Sequence, residues 1–170
     1  MTSRAVVAGA AALLLAAGCG SAPPALTDAH RAALADSVEQ VATQMFASLA
    51  SRADADTILS YFVGGDSLVV AEDGMLFPSY DSLVSALRAT WRPGSTFRGS
   101  LGEKRVRVLS PDVVVVTAII SGTGADSAGV ETPTRFAWTG VYLRTAGGWK
   151  IAARHESSAP QAPAAPARRR

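Results

Sequence analysis

The sequence predicts a single α+β domain, in which N-terminal helices pack on one face of a curved antiparallel sheet. Two observations carry this prediction. Up to about residue 91, most apolar residues recur at the three- and four-residue spacing of amphipathic helices. From residue 96 onward the pattern changes to extended segments separated by tight turns. Helices followed by a run of hairpin-connected strands are typical of an α+β domain.

The first predicted helix is the longest. It begins at Asp28, and Thr27 before it can act as the N-cap. The acidic Asp28 suits the positive end of the helix dipole. One stripe of this helix is apolar and is expected to pack against the sheet: Leu34, Val38, Val41, Met45 and Leu49.

Two shorter helices are predicted before the main run of strands. One spans residues 57–62 behind a cap at Asp54 or Asp56, and Gly64-Gly65-Asp66 ends it. The other begins at Pro78-Ser79 and ends at Arg92-Pro93-Gly94. Its apolar stripe consists of Tyr80, Leu83, Val84, Leu87 and Trp91.

Six extended segments are predicted. Two short ones, 67–71 and 75–77, flank the turn Glu72-Asp73-Gly74. The four long ones are 96–109, 113–122, 134–145 and 149–157. Ser110-Pro111-Asp112 and Ala146-Gly147-Gly148 are short enough to close hairpins, whereas 124–132 is a looser connection.

Residues 1–18 resemble a bacterial lipoprotein signal peptide. A basic start that ends at Arg4 precedes an uncharged apolar stretch, and small residues then lead into Cys19, the only cysteine. The apolar stretch is shorter than the roughly 18 residues that a membrane-spanning helix needs. The resemblance implies that Cys19 is acylated and becomes the new N-terminus. We therefore expect a protein anchored to a membrane of the bacterial cell envelope, facing the periplasm or the exterior.

Composition limits what the rest of the chain can do. Residues 19–27 are expected to be a Pro-Ala tether, 28–158 the folded domain, and 159–170 a disordered Pro/Ala tail that ends in three arginines. The folded domain carries 12 lysines and arginines against 14 acidic residues, a net charge of −2, which disfavours nucleic-acid binding. With two histidines and no free thiol after acylation, neither a metal site nor a cofactor is expected.

The order of elements and the last predicted strand resemble a known family. The segments Trp149-Lys150-Ile151 and His155-Glu156-Ser157 resemble the Trp-Lys-Ile core and the following His-x-Ser of the SnoaL-like branch of the nuclear-transport-factor-2-like superfamily, close to DUF4440-type domains. The resemblance covers residues 28–158. It implies a cone, in which a strongly bent sheet wraps around helices and leaves a pocket between them. Members of the superfamily include isomerases, cyclases, dehydratases and proteins with no known activity.

Asp73 and His155 are the candidate catalytic residues. Strict alternation along the last strand places His155 on the face turned to the helices, at the pocket rim. There it could act as a general base, or it could simply be hydrogen-bonded to the backbone or to Ser157. The resemblance implies a catalytic aspartate shortly after the first short strand, near Asp73. A carboxylate in an apolar cone would have a raised pKa, although an aspartate before Gly74 is also a common turn residue.

Aromatic residues are the candidate ligand contacts. Tyr61, Tyr80 and Tyr142 could donate hydrogen bonds to a ligand or could fill the core. Trp138 shares a strand face with Phe136 and Tyr142, a wall that suits a flat ligand, the core or a dimer interface.

Three functions remain open from the sequence. The first is a lipid-anchored protein that binds a small, partly apolar molecule in its cone. The second is an isomerase- or cyclase-like enzyme that transfers protons. The third is an interaction module, for instance a homodimer, that uses the outer sheet face. A binding protein needs an apolar pocket, an enzyme needs titratable groups inside it, and an interaction module predicts a filled cone.

Overall fold

The computed structural model describes residues 25–51, 53–91 and 94–158, and in this part of the chain helices pack on one face of a six-stranded sheet. The helices are α1 (Asp28–Ala50), α2 (Ala55–Leu59) and α3 (Tyr80–Thr90), with a short 3-10 helix at Gly65–Ser67. The strands are β1 (Val69–Glu72), β2 (Met75–Phe77), β3 (Thr96–Ser110), β4 (Val113–Ala125), β5 (Glu131–Thr145) and β6 (Gly148–Ser158). The predicted α+β class is confirmed.

Several predicted features lie outside the described residues. They are the signal peptide 1–18, Cys19, the tether up to residue 24, Arg92 and Pro93, and the tail 159–170. Among the residues that are described, no helix is long and apolar enough to span a membrane.

The helices begin at the capping residues that the sequence offers. Thr27 accepts a hydrogen bond from the His30 amide at 3.2 Å, and Asp54 accepts one from the Thr57 amide at 2.7 Å. Ser79 and Ser82 form a reciprocal capping box at the start of α3. The predicted second helix, 57–62, begins and ends too late, since α2 spans Ala55–Leu59 behind the cap at Asp54. The buried stripe of α1 includes Leu34, Val38, Ala42, Met45 and Phe46.

The strand order is β2-β1-β6-β5-β4-β3. Strands β3 to β6 form the predicted antiparallel meander, but β1 pairs with β6 in parallel, so the sheet is mixed. The turn between β1 and β2 has positive φ at Asp73 (46°) and Gly74 (84°), as two-residue hairpin turns of type I′ require. The predicted connection 124–132 is shorter than expected, because β4 continues to Ala125 and β5 begins at Glu131.

A β-bulge in β6 overturns the predicted orientation of that strand's second half. Tyr142 pairs with Ile151 and Val141 pairs with Ala153, so Ala152 has no partner residue on β5. One extra residue moves every following side chain to the opposite face of the sheet. The prediction that His155 faces the helices is therefore wrong, and His155 lies exposed on the outer face.

The core lies between α1 and the inner face of the sheet. Strand β4 contributes Val114, Val116 and Ile120, all fully buried. Trp149 on β6 donates its indole N–H to Ser37 Oγ on α1 at 3.0 Å, which fixes the helix against the sheet. Met45 and Phe46, in the second half of α1, belong to this core and together with Leu49 also line a cavity beside it.

Candidate functional site

A cavity of about 530 Å³ lies between the helices and the inner face of the sheet. Its volume is within the range of small-molecule sites in proteins. Most of the lining is apolar and much of it is aromatic: Phe46, Phe62, Phe77, Trp91, Phe97, Phe136 and Trp138. The cone is therefore not filled by its own side chains. A filled cone is what the interaction-module hypothesis predicted.

The cavity has one charged end. Glu72, Asp73, Arg154 and Glu156 line it there, and we refer to these four residues as the charged end. Arg154 donates a hydrogen bond to Glu72 Oε2 through Nη2, and its Nη1 lies 3.8 Å from Glu156 Oε2. The side chains of Arg154 and Glu156 are 18% and 16% exposed. These two charges are thus mostly withdrawn from water.

Strand register brings the charged end together. Parallel pairing of β1 with β6 places Glu72 directly opposite Glu156. The bulge at Ala152 turns Arg154 and Glu156 toward the cavity. Two like charges opposite each other in a sheet are unfavourable. Arg154 lies between the two carboxylates and offsets part of that repulsion.

Glu156 is the carboxyl group whose environment is most altered. The pKa of Glu156 is raised from 4.5 to about 7: burial raises it most, Arg154 lowers it, and Glu72 and Asp73 raise it by smaller amounts. The group is therefore close to half ionised near neutral pH. A carboxyl in this state can both accept and donate a proton.

Asp73 has the opposite environment. Its carboxylate accepts hydrogen bonds from the Ser158 amide at 2.7 Å and from the Ser158 hydroxyl at 2.8 Å. These hydrogen bonds lower the pKa of Asp73 below its usual value. The expected raised pKa at Asp73 is therefore wrong, because the side chain is exposed and bonded to the end of β6 although it borders the cavity.

Of the predicted aromatic contacts, Trp138 lines the cavity and the three tyrosines do not. The Tyr61 hydroxyl bonds to Ser48 Oγ at 3.0 Å, and Tyr80 is half-buried in the first turn of α3. Tyr142 is fully buried in the core, and burial raises the pKa of its hydroxyl, which has no hydrogen-bond partner among the described residues. The tyrosines are placed as structural residues.

Sequence reasoning missed Glu72, Arg154 and Glu156. It assigned Arg154 and Glu156 to the outer face, because simple alternation from Trp149 puts them there. The adjacent alanines Ala152 and Ala153 fit either face, so the local sequence carries no clear signal for the bulge. The pairing of Glu72 with Glu156 depends on a parallel contact between strands far apart in the chain.

Two further polar atoms border the cavity. Thr134 Oγ1 and Arg154 Nε are buried and have no hydrogen-bond partner within the described residues. Buried polar atoms normally have partners, so each is a position where a bound molecule could complete the bonding. Across residues 25–51, 53–91 and 94–158, no group of three or more histidine, aspartate or glutamate side chains is arranged to hold a metal ion.

Residues 38–161 match the family model of the SnoaL-like domain. No curated protein matches the chain significantly.

Solved structures share the fold at low sequence identity. A ketosteroid isomerase-like protein from Erwinia carotovora atroseptica is 22% identical, with a TM-score of 0.62 over 75% of this chain and 97% of its own. An NTF2-like superfamily protein from Salmonella enterica is 12% identical, with a TM-score of 0.64 over 76% of this chain and 94% of its own. An NTF2-like protein of unknown function in nutrient uptake from Rhodospirillum rubrum is 20% identical, with a TM-score of 0.59 over 72% and 98%.

Proposed function

The chain belongs to the SnoaL-like domain family, within the NTF2-like superfamily, and on this premise we propose that its cone binds a small, partly apolar molecule. One observation carries the proposal: the cavity of about 530 Å³ is walled by aromatic and aliphatic side chains and charged at one end only. Apolar walls with a few polar groups are typical of small-molecule sites. The walls would hold an apolar body, and the charged end would orient a polar group.

The proposal is tested by filling the cavity. Ala86 on α3 lines the cavity, whereas Ala89 on the same helix is exposed and does not. The probe is naphthylethanol, a neutral molecule with a flat apolar body, titrated calorimetrically into the full chain. We expect Ala86→Trp to weaken binding by about tenfold or more, because the indole occupies the space of the ligand, and Ala89→Trp to bind as the unsubstituted chain does. Equal binding by Ala86→Trp and the unsubstituted chain would contradict the proposal.

A second candidate is a proton-transfer enzyme of the isomerase type. The observation in its favour is Glu156, a mostly buried carboxyl on the cavity wall whose pKa is raised to about 7. A general base works best when its pKa is near the working pH. The name of the Erwinia structure, ketosteroid isomerase-like, is consistent with such chemistry.

This second candidate predicts exchange of acidic carbon-bound protons. Naphthylacetone, whose CH2 group lies between the ring and the carbonyl, should acquire deuterium at that CH2 faster with the full chain in deuterated water than in deuterated buffer alone. Glu156→Gln should remove that acceleration. If the unsubstituted chain does not accelerate deuterium exchange, the proton-transfer function is contradicted for this probe and only the binding function remains.

We also propose that the chain is held at a membrane of the bacterial cell envelope by acyl chains on Cys19. The support is the sequence alone: a basic start, a short apolar stretch and small residues before the cysteine. Two or more acyl chains give durable attachment, since each buried methylene contributes about 0.8 kcal/mol. On this proposal the domain acts on molecules that reach the periplasm or the exterior.

A further inference from the structure

The cavity is unevenly charged. Among the residues described, its lining contains three carboxylates and one guanidinium: Glu72, Asp73 and Glu156 against Arg154. The lining side chains from α1, α2, α3, β3 and β5 carry no charge. The charged groups that face Glu156 are therefore Arg154 on its own strand, Glu72 on β1 and Asp73 in the β1–β2 turn.

Arg154 does not neutralise Glu156 fully. Its Nη2 group is hydrogen-bonded to Glu72, and its guanidinium lies 6.0 Å from the centre of the Phe62 ring. The contact with Glu156 is 3.8 Å long, and the Glu156 side chain makes no hydrogen bond within the part of the chain that the structure describes. A mostly buried carboxylate thus has one cation nearby, a guanidinium that it shares with Glu72 and to which it is not hydrogen-bonded, so its burial is only partly compensated.

These charges discriminate between ligands. An anionic ligand would approach three carboxylates and would have to compete with Glu72 for Arg154. A neutral ligand would leave the ionised form of Glu156 unpaired. A cation would supply the missing partner and form a charge-assisted hydrogen bond with Glu156.

We infer that the cavity selects a protonated amine carried on an apolar, preferably aromatic, body, with the ammonium group at Glu156. The inference rests on the proposed binding function and names the class of its ligand. Trp138 lies directly opposite Glu156 in the sheet and lines the same cavity, with its indole ring leaning over Gly140 toward Tyr142. The aromatic lining of the cavity is the surface on which the apolar body of the ligand would pack.

Thr134 offers a separate polar position. Its hydroxyl oxygen is buried, lines the cavity and has no hydrogen-bond partner among the described residues. Thr134 lies four residues before Trp138 on β5, about 13 Å along the strand, so its hydroxyl would meet a polar group on the body of the ligand and not the ammonium at Glu156. The cavity thus offers a carboxylate at its charged end, an apolar chamber beside it and a hydroxyl apart from the carboxylate.

The test uses three probes of similar shape that differ in charge: one is positive, one is neutral and one is negative. Naphthylethylamine, naphthylethanol and naphthylacetate are titrated calorimetrically into the full chain near neutral pH. We expect the amine to bind about tenfold or more tightly than the alcohol, and the carboxylate most weakly, because a hydrogen bond to a charged group contributes more than a neutral one. The Ala86→Trp variant should weaken all binding.

Glu156→Gln is the matched substitution, and Glu103→Gln is its control. Glu103 is an exposed carboxylate on β3 outside the cavity lining. We expect Glu156→Gln to reduce the preference for the amine over the alcohol to about threefold or less, and Glu103→Gln to preserve it. Binding of the alcohol by Glu156→Gln shows that the variant is folded.

A pH series gives a second, independent readout. The pKa of Glu156 is about 7, so its ionised fraction grows from about pH 6 to about pH 8, whereas an alkylamine stays protonated over that range. Amine affinity should therefore rise with pH in the unsubstituted chain and stay flat in Glu156→Gln.

The outcomes separate the two proposals. If the alcohol binds in the cavity and the amine binds no more tightly, the amine inference is overturned and the binding function stands. If the amine binds Ala86→Trp as well as it binds the unsubstituted chain, its site is on the surface and the inference is again overturned. If no probe binds, both proposals fail.

Discussion

Glu156 carries the sharpest prediction at the scale of single residues. Its pKa rises from 4.5 to about 7 on folding, so the folded state opposes ionisation by about 3 kcal/mol. Below about pH 4.5 the group is protonated in both states and there is no penalty. Between about pH 4.5 and 7 the unfolded chain loses the proton first, so stability falls as the pH rises. Above about pH 7 the penalty is constant.

Glu156→Gln removes this penalty. We expect the variant and the unsubstituted chain to have similar free energies of unfolding near pH 4, and the variant to be more stable by about 2–3 kcal/mol near pH 8. Denaturant unfolding at the two pH values measures the difference, with Glu103→Gln as the control that should show none. A Glu156→Gln variant equally stable or less stable near pH 8 would mean that Glu156 is solvated rather than buried.

The residue scale is also where sequence reasoning was weakest. It placed catalysis at Asp73 and His155, whereas the structure puts His155 on the outer face and ties Asp73 to the end of β6. Both placements depend on long-range structure: a bulge at Ala152 and a hydrogen bond across 85 positions of the chain. Trp138 was assigned to the correct face, because β5 has no irregularity between Phe136 and Tyr142 in its pairing with β4.

At the scale of elements, the pairing of β3 with β4 depends on a close backbone approach at Gly122. A Cβ added there would lie 2.3 Å from the Arg98 carbonyl oxygen and 2.6 Å from Gly99 Cα. Both neighbours are backbone atoms, so only a shift of one strand could relieve the clash.

We expect Gly122→Ala to destabilise the domain by about 2 kcal/mol or more, since overpacking against backbone forces strands apart. Gly124→Ala is the control in the same strand, because a Cβ at Gly124 would have its nearest neighbours at 4.0 Å. Thermal or denaturant unfolding of the two variants measures the difference. Equal stability of the two would show that β3 and β4 are not paired as described.

Features that depend on neighbouring residues in the chain, such as helix caps and tight turns, could be predicted from the sequence. The Thr27 cap begins α1, the Asp73-Gly74 turn joins β1 to β2, and the short turns of the meander fall where expected. Features that depend on pairing between residues far apart in the chain could not be predicted. The parallel contact of β1 with β6 leaves no periodic signal, and the end of β4 is set by its partner strands rather than by its own residues.

At the scale of the whole molecule, the cavity lies at the C-terminal end of α1, which is farther along the chain from the proposed anchor at Cys19 than the N-terminal end is. This helix begins at Asp28, a few residues after Cys19, and at 1.5 Å per residue its 23 residues extend about 35 Å. Its last turns, with Met45, Phe46 and Leu49, line the cavity. The cavity is therefore formed about 35 Å along α1 from the point where that helix begins.

The anchor is tested by Cys19→Ala. We expect the unsubstituted chain, produced in a bacterium, to incorporate labelled palmitate and to fractionate with membranes, and Cys19→Ala to do neither. Ser21→Ala is the control, since it changes a neighbouring polar residue and leaves the cysteine intact. Labelling of Cys19→Ala, or absence of label from the unsubstituted chain, would contradict the anchor.

If the cone is an open binding chamber with a charged end, a crystal structure of the full chain grown with naphthylethylamine should show the ligand inside it. We expect the ring between Phe136, Trp138 and Leu87, with the ammonium nitrogen about 3 Å from a Glu156 carboxylate oxygen. A chamber closed by Trp91 or Phe136, or a ligand bound only on the outer face of the sheet, would contradict it.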